Sequence, residues 1–121
     1  MRCIFCQKPS HPYYENALVY AVLDGYPVTH GHTLIITKRH VKTYFDLTYD
    51  EKMAIDDAIM IIKKRLDDKY HPDGYNIGIN NNKAAGQTIF HLHVHLIPRY
   101  EGDTPNPKGG VRGVIPNKQQ Y

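Results

Sequence analysis

Phe90-His91-Leu92-His93-Val94-His95-Leu96-Ile97-Pro98-Arg99 carries a histidine at every second position, separated by aliphatic residues. On a β-strand alternate side chains share a face, and at about 3.3 Å per residue the three imidazoles would stand roughly 6.6 Å apart in one row. Leu92, Val94 and Leu96 would then point to the opposite side. The usual logic of a half-buried strand is kept for the aliphatic set, which packs beneath a sheet. The imidazoles line a face that must offer water, metal or substrate, because three partnered core histidines in register are an uncommon accident.

Outward from this segment, the chain supplies the rest of a sheet. Ala17 to Leu23 is rich in β-branched and aromatic residues and is closed by Asp24-Gly25, a strand followed by a turn. Thr33-Leu34-Ile35-Ile36-Thr37 is short and almost continuously apolar, the signature of a central strand. Tyr75 to Asn80 alternates as a third strand, and Ile89 to Arg99 is a fourth. Between them, Asp50 to Tyr70 is a helix: Ile55, Ile59, Ile62 and Leu66 form one apolar stripe, Thr48 and Glu51 form a capping box, and His71-Pro72-Asp73-Gly74 stops it. Asp56, Asp57, Lys63, Lys64, Asp67 and Asp68 make its solvated face. Asn81 to Gln87 reads as a polar loop. The tail from Gly102, rich in Gly and Pro, reads as an extended arm without a core of its own. One long helix laid on an antiparallel sheet is an α+β domain.

With 121 residues, 41% hydrophobic and 22% charged, the chain holds one modest core and therefore one domain. Its longest apolar runs, such as Ala58 to Ile62, fall far short of the ~20 residues that cross a bilayer, so the expectation is a cytoplasmic protein without a membrane partner. A formal charge of +3 favours small anionic ligands and is too weak for a general nucleic-acid binder. The two cysteines form Cys3-Ile4-Phe5-Cys6, too close to the N-terminus for a preceding strand of a thioredoxin-type unit. Metal is the better reading of this CxxC, provided two more ligands exist.

Chemistry leaves two functional readings of the histidines. Imidazole is the commonest transition-metal ligand, so the row could belong to a metal-dependent enzyme or a metal-binding module. It is also a nucleophile, neutral near pH 7, able to attack phosphorus.

Gly86-Gln87-Thr88-Ile89-Phe90-His91-Leu92-His93-Val94-His95-Leu96-Ile97 resembles the signature of the histidine triad (HIT) family of nucleotide hydrolases and transferases. Val22-Leu23-Asp24, Gly31-His32-Thr33-Leu34-Ile35-Ile36, Lys38-Arg39-His40 and Asn80 resemble the family's upstream segments in order, so the similarity runs from about Cys3 to Arg99. The resemblance implies the HIT fold: a sheet of about five antiparallel strands, one long helix and a short N-terminal helix, paired across a homodimer. It implies a domain over residues 1–101, with 102–121 an arm belonging to it.

It further implies that His93 attacks the α-phosphate of a purine nucleotide, an AMP-containing one by family habit, to give a covalent nucleoside-monophosphate enzyme. His95 would contact the phosphate oxygens and the leaving group, and His32 would border the site. Asn80, Gly86, Gln87 and Thr88 would surround the phosphate, Asp24 would bind the ribose, and Ile4, Phe5, Val22 and Leu23 would wall the base. Asp24 reads equally well as a turn residue before Gly25. The zinc-bearing branch of the family, which includes small bacterial members often described as diadenosine-polyphosphate hydrolases, implies one structural Zn2+ per chain on Cys3, Cys6, His40 and His91. A nucleotide-binding interaction protein with vestigial catalysis is the third class the sequence leaves open.

Overall fold

The structure, a computed structural model, describes residues 2–121. Five strands, β1 (Tyr14–Glu15), β2 (Val19–Leu23), β3 (Thr33–Thr37), β4 (Gly74–Gly78) and β5 (His93–Arg99), form one sheet in the order β1-β2-β3-β5-β4, antiparallel at every pairing. One long helix, α1 (Tyr49–Tyr70), lies across it, and a single 3-10 turn at Ile4–Cys6 stands at the N-terminus.

The boundaries move where side chains intercept the backbone. The first expected strand begins at Val19 rather than Ala17 because Asn16 Oδ1 accepts the N–H groups of both Leu18 and Val19 at 3.0 Å. That Asx turn folds Tyr14–Glu15 back against Ala21 and Tyr20 as β1. The last strand begins at His93 and not at Ile89, since the Leu92 N–H leaves the sheet to donate to Val41 O at 2.7 Å. Residues after Gly102 are not uniformly extended: they form 3-10 turns at Gly110–Val114 and Pro116–Lys118.

Helix α1 begins with the capping box foreseen in the sequence. Glu51 N–H donates to Thr48 Oγ1 at 3.1 Å, and Thr48 N–H donates to Glu51 Oε1 at 2.9 Å. It ends at His71, whose φ of 53° places it in the left-handed region. Ile55, Ala58, Ile62 and Leu66 are buried against Val19, Ala21, Ile35, Val94 and Leu96, so one sheet face makes the core. Each isoleucine, leucine or valine among them contributes on the order of 1.5–3 kcal/mol when removed from water.

The other sheet face carries His93 and His95. Tyr20, Leu34 and Ile36 are buried there beneath Phe5 and Val22. Ile36 pairs with His93 and Leu34 with His95 in the β3–β5 register, so both imidazoles emerge on that side. Along β5 half-buried and buried residues alternate from His93 to Arg99, as the period-two pattern requires.

Candidate active site and metal centre

Each imidazole at the sheet surface is fixed by one hydrogen bond, and the bond decides which nitrogen is free. His91 is fully buried and donates from Nε2 to Thr37 O at 2.7 Å, which leaves the Nδ1 lone pair facing Cys3 Sγ at 3.2 Å and Cys6 Sγ at 3.5 Å. A carbonyl accepts only, so His93 donates from Nδ1 to His91 O at 2.9 Å and keeps a free lone pair on Nε2. On the far side, the Val28 backbone N–H donates to His32 Nδ1 at 3.0 Å. The His32 proton therefore sits on Nε2, from which it donates to His95 Nδ1 at 2.9 Å, and His95 presents an N–H from its own Nε2. His91 thus turns a lone pair to the sulfurs, His93 keeps a lone pair on Nε2, and His95 keeps an N–H on Nε2.

Burial, with the neighbouring His93 and His32, pushes His95 down to about 4, and burial lowers His32 as well against the opposing pull of Asp24. Both rings are neutral at pH 7. Asp24 Oδ2 lies 3.4 Å from His32 Nε2, while its Oδ1 accepts the Tyr26 N–H at 2.8 Å, so the turn role read from Asp24-Gly25 is real and leaves one oxygen on the site. Asp24, His32 and His95 come together closely enough to suggest a two-histidine, one-carboxylate metal triad. The Val28 N–H argues against it, because a metal on His32 Nε2 would need the proton moved to Nδ1, where that N–H already points.

Asn80, Gly86, Gln87 and Thr88 lie along the approach to β5. Asn80 follows β4 two residues after the Gly78–His95 pair, level with His93, and Gly86 closes a 3-10 turn at Lys83–Ala85 with a φ of 97°. Gly86 lies against Asn80, within about 4 Å of its side chain by the position a Cβ would take. Thr88 is exposed. Gln87 differs from the rest: it is buried, its Oε1 accepts the Asn82 N–H at 2.7 Å, and its Nε2 donates to Lys42 O at 2.7 Å and Ile89 O at 3.2 Å. Its side chain braces the loop instead of facing the cleft. Of the expected base wall, Phe5 and Val22 pack together, whereas Ile4 and Leu23 remain exposed beside them.

Cys3, Cys6, His40 and His91 form a second cluster, with ligand atoms all within 4.8 Å of one another. A tetrahedral zinc with bonds of about 2.3 Å to sulfur and 2.05 Å to nitrogen has donor–donor edges of roughly 3.3–3.8 Å. The observed edges, 3.2 Å for Cys3–His91, 3.2 Å for Cys6–His40 and 3.5 Å for Cys6–His91, lie within or about 0.1 Å below that range, and both thiols are free. The donor set is compatible with zinc. The cluster touches the histidine row through Phe5, whose ring lies edge-on to His93 at 4.9 Å and to His91 at 6.2 Å.

Three supports of the site escape sequence reading. Glu51 is buried and receives a two-pronged ion pair from Arg39, at 3.0 and 2.7 Å, which ties the helix start to the residue before His40. Tyr20 donates its hydroxyl to Phe5 O, and burial, with the two thiols adding, raises its phenol to about 12. The Val28 N–H is a backbone group, invisible to any residue-type signal. A concavity of about 460 Å³ between Pro27–His30 and Tyr100–Asp103 contains none of the histidines of the row.

The HIT domain model matches residues 6–102. The chain belongs to the histidine triad family. HIT relatives include the Protein hit of Bacillus subtilis, 40% identical over 84% of this chain and 74% of that protein. An uncharacterised HIT-like protein of Methanocaldococcus jannaschii is 41% identical over 93% of this chain and 91% of its own length. Among solved structures, a HIT family protein from Bacillus subtilis superposes with a TM-score of 0.77 at 38% identity, covering 85% of this chain and 77% of that one. A Zn-bound histidine triad protein from Mycobacterium smegmatis superposes at 0.76 with 35% identity, covering 86% and 79%. The fold that the family resemblance implied is therefore the one observed, and membership carries a nucleotide hydrolase or transferase kind of function.

Proposed function

We propose that this protein hydrolyses nucleotides through a covalent nucleoside-monophosphate intermediate on His93. The observation that carries the reading is the His93 Nδ1–H bond to His91 O, which leaves Nε2 as an unprotonated nucleophile on the open face. Its lone pair forms the bond to the α-phosphorus as the bond from phosphorus to the leaving-group oxygen breaks. That oxygen departs with the electron pair and accepts a hydrogen bond from His95 Nε2–H. Water then adds to phosphorus, the phosphorus–nitrogen bond breaks, His93 recovers its lone pair, and the nucleoside monophosphate leaves with a proton released to solvent. His32 supports His95. Asn80, the Gly86 backbone and Thr88 hold phosphate oxygens, Gln87 keeps their loop in shape, and positioned donors of this kind supply most of the catalysis in phosphoryl transfer. Asp24 accepts the ribose hydroxyls through its free oxygen, and Ile4, Phe5, Val22 and Leu23 stack on an AMP-type base.

Dinucleoside polyphosphates and nucleoside phosphoramidates are the two substrate classes of this reading, since either leaves from the same α-phosphate. Adenylyl sulfate is favoured as a third class because the adenylylsulfatase HINT3 of Arabidopsis thaliana is 36% identical over 84% of this chain and 54% of its own length.

In the same reading, one structural zinc per chain is held by Cys3, Cys6, His40 and His91, supported by the donor spacing above and by the Zn-bound relative. The four protein ligands leave no open position, so the ion supplies cross-linking and no chemistry. Residues 1–101 form the catalytic domain and 102–121 its arm. A homodimer forms along β4, an edge strand whose Ile77 is 49% exposed. The protein works in the cytoplasm; among the described residues, no helix is long and apolar enough to cross a membrane. The test is His93→Ala with diadenosine polyphosphates, adenylyl sulfate and a nucleoside phosphoramidate: hydrolysis vanishes while fold and zinc content persist. Undiminished turnover in that variant overturns the assignment.

A further inference from the structure

Resting on the zinc reading above, we propose that Cys3 and Cys6 are a site of reversible oxidation, at which a peroxide converts the two metal-ligating thiolates to a disulfide and thereby disassembles the nucleotide pocket. The arrangement differs from a closed structural knuckle in its exposure. Cys6 and His40 lie at the surface, Cys3 is half-buried, and only His91 is sealed inside. An oxidant reaches Cys6 without any opening of the core.

The two sulfurs are also placed to react with each other. Cys6 N–H donates to Cys3 O at 3.2 Å across the 3-10 turn, and the sulfurs sit in a cluster whose ligand atoms lie within 4.8 Å. Turns of this span hold their end Cα atoms less than about 7 Å apart, within reach of a disulfide. Metal coordination keeps both thiols as thiolates, the form a peroxide attacks. Peroxide oxygen adds to one sulfur to give a sulfenic acid with release of water. The second thiolate displaces hydroxide from it, and the sulfur–sulfur bond forms. In sum the sulfurs lose two electrons, hydrogen peroxide takes them with two protons to become two waters, and the metal is left with two imidazoles.

The consequence for the pocket follows from what the turn carries. Between the two cysteines stand Ile4 and Phe5, and the Phe5 ring forms the wall 4.9 Å from His93. His91, whose Nδ1 faces only the two sulfurs, also supplies the carbonyl that fixes the tautomer of His93. Drawing the sulfurs together removes half of the tetrahedron, releases the ion and leaves the turn held by the Tyr20–Phe5 hydrogen bond, the Phe5 packing and the exposed Lys8–Glu15 ion pair.

The experiment exposes the full-length zinc-loaded protein to hydrogen peroxide and follows zinc release with a chromophoric chelator, thiol loss, peptide mass and AMP affinity. The expected result is one zinc released for two thiols lost, with the N-terminal peptide lighter by about 2 Da. AMP binding weakens on the order of tenfold, and dithiothreitol with added zinc restores it. In the Cys6→Ser protein, which lacks the second sulfur, peroxide gives no peptide lighter by about 2 Da and no dithiothreitol-reversible change in AMP affinity, whatever its starting affinity; should it fail to fold, the reversal in the wild type decides. Zinc retained after thiol oxidation, sulfinic or sulfonic products in place of the disulfide, or a disulfide with unchanged AMP affinity each overturns the proposal. A reduced protein that takes up no zinc overturns the zinc reading itself, and that is seen before any peroxide is added.

Discussion

The imidazoles of His32 and His95 face each other at 2.9 Å from Nε2 to Nδ1, and a backbone N–H from Val28 determines which of them donates. The direction of that bond turns His95 into a donor toward the ligand. Replacing His32 with Phe keeps a ring of similar shape and frees His95 to adopt the other tautomer. The expected outcome is a kcat lower by roughly ten- to a hundredfold with KM for an AMP-linked substrate little changed. Steady-state kinetics on both parameters checks it; a change confined to KM points to binding alone.

The same pair sets an acid limit. Burial holds both rings below the ordinary histidine value, so between about pH 6.5 and the folded value of about 4 at His95 the unfolded chain takes up protons that the native state refuses. Stability is full above that window and falls as pH drops through it. Asp103, held down to about 2 by Arg99, makes a separate contribution that is present above the ordinary carboxylate value and is lost only at still lower pH. Denaturant titrations at a series of pH values are expected to show a decline between pH 6.5 and 4 that is shallower in His95→Gln.

Gly31 immediately precedes His32 with a φ of 90°, and a Cβ there would stand 3.0 Å from Leu66 and 3.1 Å from both Pro98 and Tyr70. Gly31→Ala meets backbone strain and crowding together. A loss of about 1–3 kcal/mol is expected, with reduced activity because the same residue aims His32. Chemical denaturation measures the first and turnover the second.

Glu51 caps α1 and neutralises Arg39 from a buried position. Glu51→Ala removes the cap and leaves Arg39 without its carboxylate, at a cost of about 1–3 kcal/mol. Because Arg39 adjoins His40, the variant is also expected to hold zinc less tightly, which a competition titration with a chelator reads directly.

The helix, the central strand and the two-faced row of histidines were legible because each is written in periodicity. Ile55, Ile62 and Leu66 repeat on one stripe, and Val94 and Leu96 alternate with imidazoles; residue type alone decides which way each faces. The start of β2 was not legible, since the Asn16 side chain competes with the backbone in a way that hydrophobic pattern ignores. Gln87 was grouped with the phosphate residues through the family signature, yet its two carbonyl partners and one N–H partner arise from segments that meet only in the folded chain. Cys3 and Cys6 suggested a metal by themselves, but their two histidine partners came from likeness to a family and not from spacing.

His91 gives its side chain to one function and its main chain to another. Its imidazole lies in the sulfur cluster, while its carbonyl accepts the Nδ1–H of His93 two residues on. On the proposed reading, a substitution scan scored by turnover alone ranks His91 beside His93, although the His91 ring faces the two sulfurs. Only an assay that counts zinc and turnover separately can tell the anchor from the reagent.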